Sequence, residues 1–154
     1  MPVRLLLIAS LVLAALVAAG CDVGAPAASA GSPGSLGPPA AAIEGPTWTA
    51  IAVGGQRPVP GHEPSIQLSA GRVRGSGGCN GFSGGYRYDA ATGAIAFDGL
   101  AMTAMGCLDP RVGAVETAFS GILAGADRLT IDADGRLHVT GPAGEIVLAK
   151  ALEG

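Results

Sequence analysis

From Gly45 onward, short apolar runs of roughly alternating character are separated by glycine-containing turns, a text that specifies many short strands and leaves room for little helix. Segments 47–53, 65–69, 72–75, 82–88 and 94–98 read as strands. Residues 129–131 and 137–139 flank Asp134-Gly135, a strong hairpin signal because that turn needs φ > 0. Residues 145–150 supply a last strand after Gly141-Pro142. Between the two strand groups lies one helix: Asp109 caps it, Pro110 fits its first turn, Val112, Val115, Phe119, Ile122 and Leu123 share a face, and Gly125 stops it. About 108 residues suffice for one core but not two. The expected class is α+β and β-rich, a curled antiparallel sheet or partial barrel packed with a single α-helix.

The N-terminal text is of another kind. Arg4 precedes an apolar run over residues 5–19, short for a membrane span, and Ala18-Ala19-Gly20 stand before Cys21. This reads as a lipoprotein signal peptide over residues 1–20, cleaved before Cys21, whose thiol and amine take lipid. Ala18 stands where such signals usually have leucine. Residues 21–44 comprise the lipidated cysteine and an Ala/Gly/Pro/Ser tether without aromatics or hydrophobic period, expected to be disordered. Such a coil would reach about 25 to 30 Å. Asp22 resembles a signal for inner-membrane retention, relevant to an organism with two membranes. The domain proper is then residues 45–152, attached to the cell membrane and facing the periplasm or cell exterior.

Export changes the meaning of the other cysteines. Once Cys21 carries lipid, Cys79 and Cys107 remain as an even pair, which outside the cytoplasm is expected to be oxidised. Closing a loop of about 29 residues would contribute roughly 3 to 4 kcal/mol in the chain-entropy picture. Two buried thiols, or a metal or catalytic site, are the alternatives. A cysteine nucleophile or a Cys₂His₂ site would need His62 or His138, one in a Pro/Gly loop and one in the last hairpin, without short paired ligand spacing. Loss of Arg4 leaves eight basic against twelve acidic side chains, a net charge of about −4. With basic residues scattered singly and six aromatics in all, nucleic acid is not an expected partner. The glycine-rich loop around Cys79 is followed by no lysine and opens no helix, which argues against phosphate binding.

The segment GSGGCNGFSGGY (residues 75–86), then GLAMTAMGC (residues 99–107), then a helix carrying Glu116, with Trp48 upstream, resembles the META domain of heat-inducible HslJ-like lipoproteins. The resemblance covers roughly residues 48–148. It implies a β-rich envelope domain, linked in some members to stress and antibiotic tolerance, with no established enzyme activity. The motif residues Asn80, Thr103, Met105 and Glu116 are read mainly as architecture, with binding as the functional reading. Asn80 tolerates left-handed backbone and bonds locally, Thr103 satisfies backbone groups, Met105 fills an irregular core gap, and Glu116 satisfies backbone donors of the cysteine loops. Trp48 anchors the first strand in the core. The expectation is a non-enzymatic, lipid-anchored envelope module with no cofactor, no metal and no catalytic residue. Its partner would be the membrane, through its lipid, together with an envelope protein or small molecule. Inhibition of an envelope-directed lytic or proteolytic enzyme is the alternative.

Overall fold

The computed structural model describes residues 37–151, so the signal peptide, Cys21 and most of the tether lie outside the described residues. Within them the elements run α1 (Ala40–Ile43), β1 (Thr47–Val53), β2 (Ser65–Ser69), β3 (Arg72–Ser76), β4 (Gly81–Asp89), β5 (Ala94–Met102), α2 (Pro110–Ala124), β6 (Arg128–Ile131), β7 (Leu137–Gly141) and β8 (Gly144–Lys150). Successive side chains of a strand point to opposite faces, so each alternating run sends one set inward. Trp48, Ala50 and Val53, Ile66 and Leu68, Leu137 and Val139, and Ile146 and Leu148 form one buried cluster.

Every strand pairs antiparallel with the next, and β8 returns to β1, so the sheet closes. This corrects the curled sheet or partial barrel while keeping the β-rich α+β class. Alternation cannot reveal closure, because inward residues of an open sheet and of a barrel obey the same period. The seam is thinnest between β5 and β6, which share the single pair Ala94↔Arg128. β5 also runs past Asp98 to Met102, carried over a register shift opposite Gly84, with Gly99 at φ 56°.

Helix α2 starts as its sequence predicts: the Asp109 carboxylate accepts from the Arg111 backbone N–H (2.8 Å) and Pro110 is the first helical residue. Val112, Val115, Phe119, Ile122 and Leu123 are buried, and the Phe119 ring lies 5.8 Å from that of Phe82.

The folded unit begins before Gly45, which corrects the boundary for the last residues assigned to the tether. Ile43 is fully buried in the core. The segment is held by Trp48 Nε1–H donating to the Ile43 carbonyl (2.9 Å), Tyr88 O–H to the Pro38 carbonyl (2.6 Å) and Tyr86 O–H to the Glu44 carboxylate. Gly37 N–H reaches the Ala90 carbonyl beside the β4–β5 turn. The chain thus enters at the end of β4 remote from Asn80.

Candidate functional site

Two loops meet over the first half of α2. Residues 77–80 join β3 to β4, and residues 103–109 join β5 to α2. Glu116 lies one helical turn beyond Val112 and one before Phe119, so it shares the buried face of α2 with them. A carboxylate placed there must find donors, since burying an unpaired charge is costly. Its Oε2 accepts from the backbone N–H of Cys79 (3.1 Å) and Asn80 (2.6 Å), and its Oε1 accepts from Asn80 Nδ2 (2.6 Å).

Asn80, 4% exposed, is saturated as well. Nδ2 donates also to the Met105 carbonyl (3.1 Å), while Oδ1 accepts from Met105 N–H (2.7 Å) and Thr103 Oγ1–H (2.9 Å). One amide therefore joins β4, the loop after β5 and the helix. Cys79 and Cys107 are disulfide-bonded, with Cα atoms 5.8 Å apart, and close the same two loops covalently. Cys107 Sγ lies 3.7 Å from Glu116 Oε1.

The structure brings Cys79, Cys107, Asn80, Thr103, Glu116 and the Met105 backbone together, and it corrects one role. The Met105 side chain is 61% exposed, so it fills no core gap; its backbone does the work. The positive φ in this loop, 110°, falls on Gly78 rather than on Asn80. A Cβ at Gly77 would stand 2.7 Å from Glu116 Cγ and Oε2, so only glycine lets the carboxylate approach. The Gly-Gly run before Cys79 was the available signal. Exposure of Met102 and of the fully exposed Leu108 left no comparable trace in the sequence.

Cys79 Sγ, Cys107 Sγ and a Glu116 oxygen lie within 4.8 Å of one another. Free thiolates in that arrangement would suit a soft metal, but sulfurs joined to each other cannot serve as thiolates. His62 Nδ1 sits 3.2 Å from the Gly78 carbonyl, and His138 is held between Glu145 and Asp132. Among the described residues neither ring hydrogen-bonds a cysteine.

Residues 41–153 match the META domain. The chain belongs to the META domain family. A solved structure of a protein from Burkholderia xenovorans is similar at 23% identity and TM-score 0.60, covering 84% of this chain and 99% of the other. A second solved protein is 24% identical with TM-score 0.58, covering 69% and 89%. A DUF4847 family protein from Bacteroides vulgatus is 15% identical with TM-score 0.51, covering 73% and 96%. These likenesses show the fold alone. No curated protein matches the sequence. In this META domain the motif residues form a latch, and the loop they hold faces outward. No helix among the described residues is long and apolar enough to cross a membrane.

Proposed function

We propose that this META domain is a non-enzymatic, lipid-anchored envelope module that binds another envelope component in a stress- or drug-tolerance setting. The observation that carries the reading is the division of labour in the motif. Its polar groups are occupied in holding the loop, whereas Met105 and Leu108 point to solvent on it. An exposed apolar loop that is already ordered loses little conformational entropy on binding, which favours recognition. Cys79 and Cys107 are joined and Glu116 is engaged by three N–H groups, which supports binding over nucleophilic or general-base chemistry at this site. The envelope address rests on residues 1–21.

Inhibition of an envelope-directed lytic or proteolytic enzyme is the second reading. A projecting loop braced by a disulfide has the shape that enters a cleft, which favours it specifically.

The test is made on the full chain in bacterial cells, with Cys21→Ala as the control. The expected result is membrane fractionation and a lipid mass on the N-terminal peptide, both lost in the variant. A photo-crosslinking residue at Met105 should give a discrete adduct, and one at Ala91, beside the opposite turn, should not. Soluble fractionation of the unaltered chain, or equal labelling from both positions, would defeat the reading.

A further inference from the structure

A buried carboxylate ordinarily faces a cation, either a basic side chain or a metal ion. Glu116 is 8% exposed, and among the described residues no lysine, arginine or histidine makes an ion pair with it. Its protein donors are neutral N–H groups, two on Oε2 and one on Oε1. A carboxylate oxygen accepts at two positions, so Oε1 keeps one. Cys107 Sγ lies 3.7 Å from that atom, and Cys79 Sγ completes a cluster whose ligand atoms all fall within 4.8 Å of one another. These are the dimensions of a zinc site: with Zn–S about 2.3 Å and Zn–O about 2.1 Å, tetrahedral angles put sulfur about 3.6 Å from oxygen and about 3.8 Å from a second sulfur. The Cys107–Glu116 separation already meets the first length, and parting the two sulfurs supplies the second.

We infer that reduction of the Cys79–Cys107 bond converts the latch into a zinc site, with the two thiolates and Glu116 Oε1 as its protein ligands. A dithiol reductant gives two electrons and two protons to the bond, becoming a disulfide itself and leaving two thiols; a zinc ion then binds as both thiol protons pass to solvent. Cys79 and Cys107 are each half-buried, so reductant and metal reach them and solvent takes the fourth position. The loops stay together once the bond is cut, because Asn80 spans them without the sulfurs. Its Nδ2 and Oδ1 hold the Met105 backbone, and Oδ1 also accepts from Thr103 Oγ1–H. The ligands are thereby held near one another before the metal arrives, which lowers the ordering cost of binding. Two sulfurs and one oxygen suit zinc, which accepts both kinds of donor, whereas copper(I) favours sulfur throughout.

The site needs neither lipid nor partner protein, so it stands or falls apart from the envelope reading. In the full chain carrying Cys21→Ser, Cys79 and Cys107 are the remaining cysteines. This protein is reduced with dithiothreitol, freed of the reductant under argon, and titrated with zinc by calorimetry and with cadmium for its thiolate charge-transfer absorption. The reduced chain should bind a single ion per molecule with that absorption, and the oxidised chain should not. Glu116→Gln should weaken zinc by more than about tenfold, since even residues that only orient a ligand are worth that much. Ile43→Ala, which loosens the core away from the latch, should bind zinc as the unaltered chain does, so that loss of a ligand is told apart from loss of stability. A reduced chain that takes no zinc or loses its far-ultraviolet circular dichroism would overturn the inference. So would equal binding before reduction, binding without the cadmium–thiolate absorption, or equal affinities for Glu116→Gln and Ile43→Ala.

Discussion

Glu116 decides the geometry of the site because its two oxygens collect three donors from the loop before β4, whose Asn80 amide in turn holds the backbone of the loop after β5. Glu116→Gln keeps the shape but turns one acceptor into a donor that must face either Asn80 Nδ2 or the pair of backbone N–H groups. The expected loss is about 2 to 3 kcal/mol, the penalty for an unsatisfied buried group, read as a lower urea midpoint at constant slope. A second residue gives the protein a pH signature. His138 Nδ1 lies 2.8 Å from Glu145 Oε1 and Nε2 lies 3.1 Å from Asp132 Oδ2. Partial burial pulls the imidazole pKa down, but the hydrogen bonds its N–H groups donate to Glu145 and Asp132, with the negative charge of both, outweigh it and leave it raised. A raised folded pKa means that this stabilisation is complete below about 6.5 and is lost as the pH climbs through the folded value. Asp132 is held below the usual carboxylate range, first by the Arg136 backbone N–H and then by His138, so its own contribution fades only on acidification. The urea midpoint is expected to fall as the pH rises above about 6.5, and His138→Gln to flatten that fall. The residue types at the site were legible from Gly-Cys-Asn, Thr-x-Met-x-Cys and the downstream glutamate. That Met105 contributes its backbone was not, because a side-chain motif carries no sign of which atoms are used.

Two elements show where local patterning stops. The four-residue α1 has no amphipathic stripe and sits in text with the composition of a tether, yet Ile43 is fully buried beneath Trp48. Ile43→Ala should cost about 2 to 4 kcal/mol, as for other large-to-small changes in packed cores, measured by thermal or urea unfolding. In the same segment Glu44 accepts from Tyr86 O–H, and the Tyr86 pKa is raised to about 12, chiefly by burial and then by that hydrogen bond. The disulfide belongs to this scale too, since it spans 28 residues and joins loops that flank β4, β5 and α2. Its removal by Cys79→Ser with Cys107→Ser should cost roughly 3 to 4 kcal/mol while leaving the strands in place, seen as a lower midpoint with an unchanged far-ultraviolet circular dichroism spectrum. Intact mass with and without reductant and alkylation checks the bond directly. Helix α2, by contrast, was readable to its ends, because its cap, its first proline and its apolar face are all local properties.

In the molecule as a whole, closure is uneven. β7 has neighbours over most of its length on both sides, whereas beyond Ile95, whose N–H donates to the Asp127 carbonyl, β5 is paired through β4 alone. Native-state hydrogen exchange should show the β5 amides that face away from β4 among the least protected of the barrel, and those of β7 among the most. Uniform protection around the ring would contradict the seam. The sequence by itself determined the strands, the one long helix and its face and the hairpin at Gly135, because each depends on side-chain period, capping or turn chemistry within a few positions, while the residues of the latch were legible through the resemblance of their motifs to the META domain. Only the tertiary structure decided that the sheet closes, that the core reaches back to Ile43, and that the loop held by Asn80 turns Met105 and Leu108 outward. Those outcomes depend on contacts between residues far apart in the chain, where strand β8 meets β1 and one glutamate gathers donors from a loop 36 residues before it.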